Sequence, residues 1–273
     1  MTWVERQVAF GARAPGTYGH DACFAFLDST LRAYAPIVEA DTFSYRVPRL
    51  GKDVALFNLR ARFAPEEDRR IVLAAHWDTR LWADRDPDPA KQKRPILGAN
   101  DGGSGVAVLL ELARMMHEQN PKVGVDIAFF DGEDLGTEED QDGWFRGSKE
   151  YVTHYAGEPK PLFVIVVDMV GQKDLELHWE GLSYEQAGNI VDLVWGVANN
   201  IGARAFRSDV KHHVYDDHVP FLQSGIPAIV LIDLDYPQWH TQADNLKAMD
   251  PEGLGDVGRV LHSLVSDPHF LGD

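Results

Sequence analysis

Ile71-Val72-Leu73-Ala74-Ala75 runs straight into His76-Trp77-Asp78, and this junction decides the fold. An apolar run this short, following a β-rich stretch, reads as a buried strand of the kind found inside a parallel sheet. The polar triplet then stands at the carboxyl end of the strand, where open α/β sheets hold their ligands. The same junction recurs along the chain. Val125 to Phe130 leads into Asp131-Gly132-Glu133-Asp134, Leu162 to Val167 leads into Asp168, and Ala228 to Ile232 runs toward the Trp239-His240 loop. Apolar runs that end in acids or histidine predict strands lying together, with ligating side chains gathered along one edge.

The segments between these runs complete the layers. Phe24, Leu27, Leu31 and Tyr34 recur at helical spacing, which predicts a first helix ending before Pro36. Thr42 to Val47 and Val54 to Phe63 are β-rich and separated by Pro48, Gly51 and Asp53, as in a hairpin. From Gly102 to His117 the apolar positions Val106, Leu109, Leu110, Leu112, Ala113 and Met116 mark an amphipathic helix, with Asp101 in the cap position. Ile190 to Ile201 and Leu254 to Val265 also read as helices, and the proline-bearing stretch Asp84 to Pro95 reads as a surface loop beside the site. The expectation is α/β: one domain spanning residues 1–273, with a central mixed, mostly parallel sheet flanked by helices on both faces.

Composition excludes several partners. Lys plus Arg number 26 against 43 for Asp plus Glu, a formal charge of -17. A polyanion is repelled on average, which argues against nucleic acid and anionic membrane. No apolar run reaches the roughly 18 residues needed to insert in a membrane, and Met1-Thr2-Trp3-Val4-Glu5-Arg6 lacks a basic start followed by an apolar stretch. Cys23 is the single cysteine, so neither an intramolecular disulfide nor a cysteine-based zinc site can form; its neighbours suit a small core residue.

The chemistry resides in the polar groups after the strands. Gly98-Ala99-Asn100-Asp101-Gly102-Gly103-Ser104-Gly105 places a carboxylate at the mouth of a helix, and with His76-Trp77-Asp78, Asp131-Gly132-Glu133-Asp134, Asp168 and His240 it outlines a zinc site. Alone, Asp101 reads more readily as a capping residue than as a ligand. A phosphate cradle is excluded, because the Walker pattern lacks its lysine and a dinucleotide fingerprint would not aim a carboxylate at the pyrophosphate. For His76-Trp77-Asp78, the histidine as ligand with Asp78 as its hydrogen-bonding partner is a common arrangement around metals. In the Glu133-Asp134 pair, one acid can bind metal while the other stays free as a base. Gly136 to Gly143 is rich in acids but lacks EF-hand spacing and reads as a solvated loop, and His212-His213 reads as a polar loop with no catalytic role.

Taken in order, Arg13-Ala14-Pro15-Gly16, Leu73 to Asp78, Gly98 to Asp101, Phe129 to Glu133, Gly147-Ser148, Asp168 to Gly171, Asp216 to Phe221 and Trp239-His240-Thr241 resemble metallopeptidase family M28, and most closely its animal-type glutaminyl cyclase branch. The resemblance runs nearly end to end. It implies a zinc aminopeptidase-like α/β hydrolase fold, with Asp101, Asp134 and His240 binding the catalytic zinc and Glu133 as general acid/base. His76 and Asp168 match positions that hold a second zinc in the family's aminopeptidases. In the cyclases Asp168 instead matches a member of a catalytic hydrogen-bond network with the position of Asp216, and one zinc suffices. Trp239 beside His240, and Trp144, are candidates for the pocket wall.

The reaction so implied is conversion of an N-terminal glutamine of a peptide or protein to pyroglutamate with loss of ammonia. The alternatives are a two-zinc aminopeptidase and a non-catalytic peptide-binding relative. The resemblance also implies a periplasmic or secreted protein whose leader is absent from this chain. Three departures stand out: Asp134 replaces a glutamate found in many relatives, the animal cysteine pair is missing, and Val230 falls where animal cyclases place a histidine. A bacterial animal-type cyclase accommodates these most easily.

Overall fold

The computed structural model describes residues 1–267. Its centre is a six-stranded sheet in the order β1 (Ile37–Val47), β2 (Lys52–Phe63), β4 (Gly124–Phe130), β3 (Arg70–His76), β5 (Val164–Val167), β8 (Ala228–Leu231). β1, β2 and β4 pair antiparallel, while β4, β3, β5 and β8 run parallel. This is the mixed, mostly parallel α/β sheet that the apolar runs predict.

Alternation assigns each residue of the parallel strands to a face. Ile71, Leu73, Ala75, Ile127, Phe129, Ile165, Val167, Ile229 and Leu231 join one buried cluster, while Val72, Ala74, Ala128, Phe130, Val164, Val166, Ala228 and Val230 join another. Helices α1 (Thr2–Val8), α2 (Tyr18–Tyr34), α3 (Ser104–Glu118), α5 (Gly181–Ile201) and α7 (Pro251–Ser266) lie on the first side; α4 (Arg146–His154) and α6 (His218–Gln223) cover the second. Cover on both faces is why these strands read as continuous apolar runs.

Local chemistry sets the boundaries. α2 opens at Thr17, whose hydroxyl accepts the His20 N–H at 3.3 Å, and it ends where Ala35 turns extended ahead of Pro36. A short 3-10 turn, Pro48–Leu50, closes the β1–β2 hairpin, and Gly51 at φ +63° takes a backbone conformation that a side chain would strain. α7 starts at Asp250, which accepts the Glu252 N–H at 2.8 Å, with Pro251 in the first helical position.

Several expectations need correction. Asp101 is not a helix cap: α3 begins at Ser104 with Gly103 before it, and no side chain caps that end. β5 starts at Val164 rather than Leu162, which is 39% exposed. α5 starts at Gly181, well before Ile190; its first turns lack an apolar stripe, but the Glu180 carboxylate accepts the Leu182 and Ser183 N–H groups and secures them. Outside the expected set are α1, α4, α6 and a small two-stranded sheet of β6 (Leu177–Trp179) and β7 (Phe206–Val210). No helix among the described residues is long and apolar enough to cross a membrane.

Candidate metal centre and active-site cleft

The parallel strands deliver their polar ends to one edge. His76 closes β3, Asp131 to Asp134 follow β4, Asp168 follows β5, and the loop after β8 carries His240. Asp101 lies in the turn before α3. Two buried clusters result, His76 with Asp101 and Asp168, and Asp101 with Asp134 and His240, and within each the potential ligand atoms lie within 4.8 Å of one another. Asp101 belongs to both.

The distances suit a metal. Ligand atoms about 2.0–2.2 Å from a tetrahedral zinc stand roughly 3.3–3.6 Å apart. His240 Nε2 is 3.3 Å from Asp134 Oδ1 and 3.6 Å from Asp101 Oδ2; His76 Nε2 is 3.2 Å from Asp101 Oδ1 and 3.1 Å from Asp168 Oδ1. Asp101 Oδ2 and Asp134 Oδ2 are buried without hydrogen-bond partners, a costly arrangement unless a cation takes them. Nitrogen and carboxylate donors without sulfur fit zinc.

Electrostatics points the same way. Burial and the Asp134 charge push Asp101 up to about 7. Burial opposes ionisation of Asp134 too, but His240 and Arg80 hold it at about 2. Although burial disfavours charged imidazoles, Asp168 raises His76 well above its ordinary range; Asp134 raises His240 to about 9. The cluster draws positive charge, whether as protons on imidazole or as a divalent cation.

Neighbouring groups set the ligands. The Asp78 carboxylate accepts the Glu133 and Asp134 N–H groups at 3.1 and 3.3 Å and lies 3.5 Å from His76 Nδ1. Asp101 is oriented by Asp244, whose carboxylate accepts the Asn100 and Asp101 N–H groups at 2.9 and 3.2 Å, rather than by a helix terminus. Gly102 follows at φ +79°, and a Cβ there would stand 2.2 Å from the Asp78 carbonyl oxygen. Buried Arg13 donates to the carbonyls of Trp77, Leu97 and Gly98 and so ties the His76 and Asp101 segments together. Asp131 is turned away from the metal cluster and pairs with His20 Nε2 at 2.8 Å.

A cleft of about 520 Å3 opens onto this edge. Asp101, Glu133, Asp134, Asp168, Asp216 and His240 line it together with Trp144 and Trp239. Asp216 is buried and accepts the Asp217 N–H; burial and the Asp168 charge raise it to about 6. A larger apolar groove of about 600 Å3 lies among α1, α3 and α7, away from the clustered ligands, so the chemistry belongs to the smaller cleft. Among the described residues, the Gly136 to Gly143 loop forms no cluster able to hold a metal. His213 reaches the cleft wall, whereas His212 faces Asp235 at 3.3 Å.

Arg80, Asp84 and Asp244, which contact the cluster segments, and His20, which holds Asp131, are neighbours of the site that sequence reasoning missed. Each meets the site through a partner distant in the chain, except that Arg80 and Asp84 carry an (i, i+4) charge spacing.

The chain's residues 58–265 match the model of peptidase family M28. The chain belongs to peptidase family M28. A glutaminyl-peptide cyclotransferase from Gloydius blomhoffii is 27% identical over 298 residues, covering 95% of this M28 chain and 78% of the relative. A solved glutaminyl cyclase from Porphyromonas gingivalis is 37% identical, covers 99% of this chain and 95% of its own, and superposes with a TM-score of 0.90. A solved Zn-dependent exopeptidase from Parabacteroides distasonis is 35% identical, with 97% and 96% coverage and a TM-score of 0.91. The M28 fold is thus shared by cyclases and exopeptidases alike.

Proposed function

We propose that the chain is a zinc-dependent glutaminyl-peptide cyclotransferase, which converts the N-terminal glutamine of a peptide or protein to pyroglutamate and releases ammonia. The observation that carries this reading is a single cleft lined by Glu133, by the Asp101, Asp134 and His240 set, and by two tryptophans. Likeness to cyclases over nearly the whole chain supports it. A zinc ion held by those three residues would supply electrophilic polarisation of the glutamine γ-carbonyl.

The chain's own groups do the rest. Glu133 takes a proton from the α-amine as its nitrogen bonds to the carbon of the side-chain carboxamide, and returns it to the amide nitrogen as the carboxamide C–N bond breaks and ammonia leaves. Burial and the Asp134 charge lift Glu133 well above the ordinary carboxylate range, which suits a group that both accepts and releases a proton. Asp168 and Asp216 hold the amine, and Trp144 and Trp239 pack the folded side chain so that attack is intramolecular and well oriented.

A second reading has its own observation. His76 and Asp168 stand with Asp101 in a second ligand cluster, which suits a two-zinc aminopeptidase. Incubating zinc-loaded protein with a glutamine-initiated peptide and following its mass separates the two. Loss of ammonia from an intact peptide, with one zinc per chain, supports the cyclase; release of free glutamine, with two zincs, replaces it with the aminopeptidase.

A further inference from the structure

The segment after β3 grips the proposed zinc site from outside. Arg80 is buried, and its guanidinium donates through one nitrogen to Asp134 Oδ1, the Asp134 carbonyl and the Gly136 carbonyl, each at 3.1 Å. Its other face forms a two-point pair with Asp84, at 2.9 and 2.5 Å. Asp84 Oδ1 lies 3.5 Å from His240 Nδ1, on the side of the ring opposite Nε2. One arginine and one aspartate thus connect two of the three proposed ligands.

The neighbouring residues fasten the same loop. The Arg85 N–H donates to the His240 carbonyl at 3.2 Å, the Asp86 carboxylate accepts the Gln242 N–H at 2.9 Å, and the Arg85 guanidinium lies 4.0 Å from the centre of the Trp239 ring. His240 has φ +57°, a left-handed conformation unusual for a residue with a side chain. Such a backbone persists only where its surroundings over-determine it.

We infer that Arg80 and Asp84 are positioning residues that form a clamp on the metal site. By donating to Asp134 Oδ1, Arg80 fixes the carboxylate beside His240, and by bonding the Asp134 and Gly136 carbonyls it holds the backbone near enough for a short aspartate to reach. Asp84 fixes the His240 ring through Nδ1 and presents Nε2 to the ion. Neither residue touches substrate. The inference rests on the zinc reading above and adds what sets the affinity for zinc.

The test is the zinc dissociation constant, measured by chelator competition on the full chain, beside the melting temperature of the zinc-free form. Asp84→Ala is expected to weaken zinc about 10- to 100-fold, the usual cost of losing a partner of a metal-bound histidine. Arg80→Lys keeps the charge but loses the planar fork and is expected to weaken zinc similarly. Wild-type affinity in both variants overturns the clamp. Should Asp84→Ala also lower the melting temperature of the zinc-free form, Asp84→Asn decides, since it keeps the side-chain volume and removes the charge that pairs with Arg80 and His240. Weakened zinc binding at unchanged zinc-free stability in that variant supports the clamp, and wild-type affinity overturns it. Wild-type protein that takes up no zinc refutes the metal reading itself, an outcome distinct from failure of the clamp.

Discussion

Glu133 and Asp134 are chain neighbours with opposite electrostatics. Burial and Asp134 raise the first, while His240 and Arg80 hold the second at about 2 despite its burial. Two adjacent carboxyls pushed apart in this way suit the proposed division into a proton carrier and a ligand. Glu133→Gln is therefore expected to lower turnover by about 10²- to 10⁴-fold while zinc content, read by metal analysis, is unchanged. An unaltered rate removes Glu133 from the mechanism.

Glu180 gives a residue-scale prediction about stability. Burial works against its charge, but His218 at 3.3 Å and the N–H groups of Val214, Ser183 and Leu182 hold its pKa at about 2. A depressed carboxylate contributes stability above its unfolded pKa of about 4.3 and loses it as pH falls through the folded value. Glu180→Gln is expected to be less stable than wild type at neutral pH, with the gap narrowing as pH falls from about 4.3 toward 2. Denaturant titrations across that range read the gap, and a constant gap contradicts the assignment.

At the scale of elements, the contact of α3 with the sheet governs the spacing of the site. A Cβ on Gly105 would stand 1.9 Å from the Val167 carbonyl oxygen and 3.0 Å from Ala75 Cβ. Those neighbours lie immediately before Asp168 and His76, so α3 is pressed against the two strands that deliver them. Gly105→Ala is expected to destabilise the fold by about 1–3 kcal/mol through overpacking. It should also weaken zinc, since it separates Asp101 from the strand ends; chemical denaturation and metal titration check the two effects separately.

Elements differed in how well sequence revealed them. The parallel strands were legible because burial on both faces leaves uninterrupted apolar runs, as in Val164 to Val167. β6 and β7 were not, since strands this short and half exposed carry no periodic signal. The start of α5 escaped because its N-terminus depends on the Glu180 carboxylate, not on an apolar stripe.

At the scale of the molecule, metal and fold are linked. Asp101, Asp134 and His240 come from segments far apart in sequence, so a bound ion stabilises the packed chain over the unfolded one. Free ion at a thousand times its dissociation constant adds about 4 kcal/mol, and for a chain of this size that raises the melting temperature by on the order of 10 °C. Calorimetry with and without a chelator measures it, and equal melting temperatures speak against a tightly held ion. The formal charge of -17 bears on partners and not on this linkage, since most of the excess acid lies outside the cleft.

The sequence by itself determined the α/β class, the strands that end in ligands, and the candidate set Asp101, Glu133, Asp134, Asp168 and His240. The class and the strand ends follow from local order, since an apolar run makes a buried strand and whatever comes next stands at the carboxyl edge of the sheet; Asp101 and the division between Glu133 and Asp134 came from the resemblance to family M28. Only the tertiary structure decided how the set is held. It replaced the supposed helix cap at Asp101 with Asp244, turned Asp131 toward His20, and placed Arg80 and Asp84 against Asp134 and His240. These contacts join residues between strands, where loop paths and not periodicity set the neighbours, so their geometry exists only once the chain has packed.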